Sequence, residues 1–547
     1  MSSDRVKPEN YNNIFDDDEM LDAPQADASG EISESIIAGK TFVKVFHKRE
    51  TSFADSDFNV LLELTGVGNP KNNSGLDIVA VLDVSGSMGP KYNKAKEDRM
   101  PKLKIAMQFV IKKLRPIDRL SVVTFTETAD KVYGFRNMTE ISRTEIEDEV
   151  NVLNSGGGTD ILHGLEMATN LIQGRRHGKE RMAAIMLMSD GDQVITNIPK
   201  ISVPVYTFGI GKEYIPTALT GIAKASGGVF SPVGVDDLNS AFAQCLAGLL
   251  TVALEDLKLI VTRNEDNSTI KKVNEGDYEK DNDGPISQTI SFGNLYDKEV
   301  RRILVELHLN DDTGSPIEIL ETYYTYKVGG KVLESSAEFV EINRVEKSVE
   351  PENEEVKNEK YRLDTTKLMQ DAKDRADAND LTSAIKIIAQ AENLILDMAD
   401  NELKKNLQAE LSAQKMLMKD TATYKTQGLA FALSSQISHG LQRFASRGND
   451  DMNIRTYATP RMNEYRNQSK TYEKDTKIPP PTVEEDVKQE IVADPLAAIA
   501  GLINYYIKES IQHHKKANQF HRKAAQSNEM AIQSLNTVQE LLEKRNI

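Results

Sequence analysis

The chain has 547 residues, too many for one core, because single cores stop growing at roughly 250–300 residues, so two or three domains are expected. Charged residues make up 28% and hydrophobic ones 39%, ordinary globular usage, and the net charge of −17 excludes a general attraction to nucleic acid or to an anionic membrane. One cysteine, Cys245, excludes an intramolecular disulfide framework and a cysteine-based zinc site. It lies in the apolar helical pattern "AFAQCLAGLL" and reads as a core thiol, not a nucleophile.

Residues 1–37 are acidic and polar, with Asp16, Asp17, Asp18 and Glu19 in a row, and read as a disordered tail. Phe15, Met20 and Leu21 flank the acids and offer a short docking peptide as the alternative. This segment has no apolar h-region, and no later run approaches the roughly 20 apolar residues of a membrane span. The expected location is therefore the cytoplasm, with the nucleus as the alternative.

Apolar alternation makes strands of "KTFVKVFHKR" (40–49) and "FNVLLELTG" (58–66), within a segment 38–75. From 76 to 251 strands and helices alternate. "DIVAVLDV" is a continuous apolar run, and Leu103, Ala106, Met107, Val110 and Leu114 follow at helical spacing. "RLSVVTFT", a helix over 161–173, "AAIMLMSD" and "VPVYTFGIG" continue the pattern. Such alternation predicts an α/β fold, a doubly wound parallel sheet covered on both faces. Residues 252–345 contain strands without helices between them, which predicts an antiparallel β domain pairing with the 38–75 strands.

A charged linker is expected at 346–360, a helical region at 361–445 and a flexible polar segment at 446–490. C-terminal helices are expected at 491–547. There Ile532, Leu535, Val538 and Leu542 form a stripe that reads as intramolecular packing, because it lasts under two heptads. The basic patch "HHKKANQFHRK" (513–523) reads as a solvated helix face.

The chemistry concentrates in three loops. "DVSGSM" sets Asp83, Ser85 and Ser87 just past the end of the first core strand. "GGGTD" sets Thr159 and Asp160 before a helix, and "LMSDGD" sets Asp190 and Asp192 after a later strand. In an open α/β sheet, ligands bind beyond the carboxyl ends of the strands, so the three loops share one edge. Hydroxyls and carboxylates without thiolate or histidine suit Mg²⁺, Mn²⁺ or Ca²⁺. The alternative is that the serines cap the next segment while Asp83 bonds local amides.

In order and in element placement these three motifs resemble the metal-ion-dependent adhesion site of the von Willebrand factor A domain. The resemblance implies direct metal ligation by Ser85, Ser87 and Thr159 and water-mediated ligation by Asp83 and Asp190, with Asp160 and Asp192 as outer candidates. It implies a protein partner whose exposed Asp or Glu completes the coordination. "KLKIAMQFVIKKLRPIDRLSVVTF", "GLAFALSSQISHGLQRFASRG" and "YATPRM" further resemble plant A-domain proteins of the wavy-growth type, over roughly residues 40–470. Those relatives are commonly RING-type ubiquitin ligases. A RING takes about eight Cys/His ligands, and these 547 residues hold one cysteine and eight histidines, scattered apart from His513 and His514. The resemblance therefore implies a non-catalytic binding module with a bound Mg²⁺. The alternatives are a substrate-recruiting ligase component working with a RING-bearing relative, and a scaffold whose metal is only structural. "GIGK" (209–212) fails the phosphate-loop pattern, because Lys212 is followed by Glu213.

Overall fold

The computed structural model describes residues 41, 43–67, 75–90, 97–175, 181–282, 284, 286–328, 331–447, 454–493 and 532. The acidic segment 1–37, the patch at 513–523 and nearly all of the expected C-terminal helices lie outside the described residues. Three early strands come first: β1 (Val43–Phe46), β2 (Glu50–Ser52) and β3 (Ser56–Thr65).

The next strand, β4 (Leu76–Asp83), is buried along its whole length, as a parallel strand covered on both faces must be. It leads through α1 (Met100–Lys113), β5 (Arg119–Phe125), β6 (Ala129–Asn137), α2 (Glu140–Asn151) and α3 (Ile161–Gln173) to β7 (Met182–Ser189). Then follow β8 (Val205–Ile210), α4 (Pro216–Ser226), β9 (Phe230–Val233) and α5 (Leu238–Leu250). The sheet order is β6-β5-β4-β7-β8-β9. Every pairing in it is parallel except β5–β6. The chain leaves β4 toward β5 and later returns to β4's other side as β7. The carboxyl ends of β4 and β7 therefore part at the switch point, where such sheets bind ligands.

The opposite end of β4 is anchored by one carboxylate. Asp77 is fully buried and accepts from Arg119 Nε at 2.9 Å, Arg175 at 2.7 Å and Arg181 Nε at 3.0 Å. Burial alone would raise its pKa, but the three guanidinium groups hold it below the ordinary value.

Residues 252–345 supply β10 (Val252–Arg263), β11 (Ser268–Asn274), β12 (Glu279–Asn282), β13 (Ser287–Tyr296) and β14 (Val300–Leu309). They end with β15 (Ile317–Val328), β16 (Lys331–Glu334) and β17 (Glu338–Val345). One sheet runs β1-β3-β14-β11 and the other β12-β13-β10-β15-β17-β2, with β16 added to β15. Strand β3 lies against β14 from Ser56 opposite Leu309 to Thr65 opposite Val300. The α/β segment is thus inserted between strands of one sandwich. Val60, Leu62, Leu259, Val261, Ile303 and Val305 fill its single core from both sheets.

The helices are α6 (Glu354–Asp377), α7 (Leu381–Leu394), α8 (Glu402–Leu417), α9 (Leu429–Gly440), α10 (Pro460–Lys474) and α11 (Val483–Ala493). Two expectations are corrected here. The segment 346–360 is a linker only as far as Asn353. Its side chain accepts from Glu355 N and starts α6, whose first-turn Glu354 and Glu355 suit the positive end of a helix. The segment 446–490, expected to be flexible, contains α10, started by Thr459 and Pro460. Met462, Tyr465 and Tyr472 are buried in the α/β core, and Asn239 of α5 donates to Ser469 O at 2.7 Å. A mostly polar helix is held here by three large side chains and matched hydrogen bonds.

A buried chain of hydrogen bonds closes the helical region. Arg362 donates to the Tyr457 hydroxyl at 3.3 Å, Tyr457 lies 2.9 Å from His439 Nδ1, and His439 Nε2 lies 3.1 Å from Glu410. Arg447 donates to the other Glu410 oxygen at 2.6 Å. Burial lowers the His439 pKa below 6.5, and Arg447 and His439 hold Glu410 down at about 2 against the burial that opposes them. The neutral imidazole donates to Glu410 and accepts from Tyr457. Among the described residues no helix is long and apolar enough to cross a membrane.

Asp77→Asn leaves three buried arginines short of their counter-charge and is expected to destabilise the protein by about 3–5 kcal/mol in urea unfolding. Stability is also expected to fall on acidification. Below about pH 6.5 the unfolded His439 binds a proton that the folded one resists, and from about pH 4.5 toward 2 Glu410 adds to the loss. Thermal melts across pH 7.0–5.5 should show a shallower slope in His439→Gln; an unchanged slope would locate the acid sensitivity elsewhere.

Candidate metal centre

Strand β4 ends at Asp83 because the next residues turn at once. Ser85 N donates to Asp83 Oδ1 at 2.9 Å, and Gly86–Met88 form one 3-10 turn. That turn carries Ser85 and Ser87 around Asp83, with their hydroxyl oxygens 2.9 Å apart. Ser87 then donates to Asp190 Oδ1 at 2.7 Å, joining the β4 and β7 loops. The β7 strand contributes Ser189 as well, whose hydroxyl donates to Asp83 Oδ2 at 2.6 Å. The glycine loop is laced to the same turn: Gly86 N donates to Gly157 O at 3.0 Å and Gly156 N to Val84 O at 2.9 Å. Thr159 faces the β7 loop so closely that a Cβ on Gly191 would lie 2.6 Å from its methyl. All five residues expected from the sequence are therefore gathered at the switch point. Asp83, Ser85 and Asp190 are buried, while Ser87 and Thr159 are partly open to solvent.

The electrostatics of this cluster are unfavourable as it stands. Burial, and then the neighbouring Asp190 carboxylate, push Asp83 up to about 6. Asp190 is also raised, by burial, although Ser87 and Arg99 pull the other way. A set of hydroxyl and carboxylate oxygens with surplus negative charge fits a hard divalent cation better than a thiophilic metal. Ser85, Ser87 and Thr159 could hold such an ion directly and Asp83 and Asp190 through water.

Two residues of the cluster were not singled out from the sequence. Ser189 is legible in hindsight as the residue before Asp190, facing the same crevice. Arg99, at the start of α1, is only 1% exposed and pairs with Asp190 Oδ2. Its second terminal nitrogen donates to Glu213 at 3.2 Å. No spacing rule announces it, because it lies ten residues past Gly89 in a charged stretch of the sequence.

Of the two outer candidates, Asp160 has a structural task. Asp160 caps α3, accepting from Leu162 N at 3.0 Å and from Gln193 at 3.1 Å. Asp192 is exposed. His163 Nδ1 contacts the Glu127 carbonyl at 2.8 Å. Cys245 packs against the α/β core, and burial pushes its thiol up, away from nucleophilic character.

A family model described as von Willebrand factor type A domain matches residues 78–193, which span β4, the glycine loop and the β7 loop. This segment is a von Willebrand factor type A domain. A second model, described as VWA / Hh protein intein-like, matches residues 400–471, behind the type A domain in the helical region. The chain is homologous to the E3 ubiquitin-protein ligase WAV3 of Arabidopsis thaliana, 29% identical over 276 residues, 48% of this chain and 35% of that protein. It is similar also to the probable E3 ubiquitin-protein ligase WAVH2 of the same plant, 25% identical over 314 residues, 53% of this chain and 41% of that one. The chain thus spans about two fifths or less of the length of these relatives. A solved von Willebrand factor type A protein from Catenulispora acidiphila aligns with 74% of this chain and 96% of its own, with a TM-score of 0.56 and 17% identity. That likeness shows a shared fold that extends beyond the type A domain.

Asp83→Asn keeps an acceptor for Ser85 N and removes one of two facing buried charges. In EDTA at pH 7 it is expected to stabilise the chain, by on the order of 1–3 kcal/mol, since a carboxylate raised in the folded state costs stability once it ionises. Chemical unfolding of the variant beside the wild type measures this, and a loss of stability would mean that the carboxylate's hydrogen bonds outweigh the repulsion.

Proposed function

We propose that the type A domain binds a divalent cation, Mg²⁺ in the first place, and uses it to take a carboxylate from a protein partner, without catalysis. The observation that carries this reading is the convergence of Asp83, Ser85, Ser87, Thr159 and Asp190 at the switch point, with repulsion between two buried acids left for a cation to relieve. A bound divalent ion would offer a partner oxygen an open coordination position. The chain's own residues do the rest. Neutral hydroxyls would leave the ion residual positive charge, Asp83 and Asp190 would hold it through water, and Ser87 and Thr159 are partly open to solvent, where a partner would arrive.

A second reading, favoured by the names of the Arabidopsis relatives, makes the chain a substrate-recruiting component of a ubiquitin ligase whose RING belongs to another protein. The metal-dependent contact would then select the substrate or the RING-bearing relative.

Both are tested together. Wild type and Thr159→Ala are titrated with Mg²⁺ and Mn²⁺, and each is used for affinity capture from plant extract in Mg²⁺ or EDTA. Saturable binding by wild type, weakened about tenfold or more in Thr159→Ala, is expected, with proteins retained only by wild type in Mg²⁺. Identical capture in all four conditions would overturn the adhesion reading. The purified chain is expected not to discharge ubiquitin from a charged E2; discharge would overturn its non-catalytic character.

A further inference from the structure

The cluster contains a cation of its own. Arg99 lies in a box closed on three sides. Asp190 Oδ2 receives one terminal nitrogen, and Glu213 receives the other at 3.2 Å. The third wall is Gly211, in the left-handed region at φ +78°, where a Cβ would come within 2.9 Å of the guanidinium. Its backbone is pinned as well, Arg99 N donating to Met88 O at 2.9 Å and Arg99 O starting α1 through Leu103 N. The arginine is therefore held against the oxygen cluster through Asp190, at 2% side-chain exposure. Asp190 is shared: Oδ1 faces Ser87 and the oxygen set, and Oδ2 faces Arg99.

We propose that Arg99 is a tethered counter-cation of this site. It keeps the oxygen cluster assembled when no metal is bound, and it limits how tightly a divalent ion can bind. The inference rests on the metal-binding reading above and adds the regulation of that site. The argument is electrostatic. Two buried carboxylates need positive charge nearby, and a guanidinium paired to one of them supplies part of it permanently. An incoming divalent ion then meets one net negative charge from Asp83, Asp190 and Arg99 together instead of two, and is repelled by a buried cation in a medium that screens poorly. Glu213 lies on the far side of the guanidinium and takes up the part of its charge that Asp190 does not. The consequence is a site that is structurally complete without metal and releases its ion readily, so that occupancy follows the surrounding concentration or the arrival of a partner carboxylate.

The test uses the full chain. Wild type, Arg99→Gln and Arg99→Lys are titrated with Mg²⁺ and Mn²⁺ by calorimetry at low salt and melted in EDTA and in saturating Mg²⁺. Arg99→Gln is expected to bind Mg²⁺ about tenfold tighter than wild type. In EDTA it should melt below wild type, and the gap should close in saturating Mg²⁺, because the metal then supplies the missing positive charge. Arg99→Lys, which keeps the charge, should stay within about threefold of wild type. A wild type that binds no metal beside an Arg99→Gln variant that does would also support the proposal. A folded Arg99→Gln that binds Mg²⁺ no tighter than a binding-competent wild type overturns the role of Arg99 alone. Failure of every protein to bind either ion overturns the metal reading and this inference with it. Should Arg99→Gln not fold, the double variant Arg99→Gln/Glu213→Gln, which removes both outer charges, is titrated instead, with a gain of about threefold expected and no gain overturning the proposal.

Discussion

Two carboxylates end neighbouring parallel strands, and the architecture at that edge is arranged around their repulsion. Asp83 and Asp190 are both buried, on β4 and on the loop after β7. Parallel pairing forces the strands to finish side by side, so the sheet cannot separate them. The charge is met locally: Ser189, Ser87 and the amide of Ser85 donate to the two acids, and Arg99 pairs with Asp190. Each device needs a particular backbone. The 3-10 turn at Gly86–Met88 brings two serines round on a short arc, and the glycine loop lies close enough to share backbone hydrogen bonds with it.

The rest of the molecule holds that edge steady. Asp77 and its three arginines fix the far end of β4, so one strand is tied by an excess of positive charge at one end and an excess of negative charge at the other. The sandwich receives both ends of the α/β segment through β3 and β10, which makes the type A domain an insertion and not a tethered bead. Arg443, paired with buried Glu299, and Arg301, which donates to Gln442 O, stitch the turn after α9 to the sandwich. Helix α10 then covers α1 and α5. A surface braced from several sides suits recognition, because little ordering remains to be done when a partner docks.

Homology and geometry divide the functional question between them. The relatives are ubiquitin ligases by name, over at most 41% of their length. The geometry gathers hydroxyl and carboxylate oxygens at one sheet edge, and contact with a carboxylate through a cation is the proposal built on it. A recruiting module serves both, since selection of a partner is separable from the chemistry performed on it.

Much of this was legible in the residues. Continuous apolar runs such as Val79–Leu82 determined buried parallel strands, and the placement of "DVSGSM", "GGGTD" and "LMSDGD" at strand ends determined which side chains would share an edge, because in this class of sheet the carboxyl ends all point one way. The edge hairpin strand β6 and helix α2 escaped notice, since an edge strand half open to solvent and a helix burying only Ser142, Ile146 and Val150 carry weak patterns. Helix α10 escaped for a similar reason: its polar sequence becomes a helix only where Phe109, Asn239 and Lys113 receive it. Arg99 could come from tertiary structure alone. Its place is set by two segments far from it in the chain, the loop at Asp190 and the loop carrying Gly211 and Glu213, and no local spacing encodes a charge whose partners are supplied by the fold.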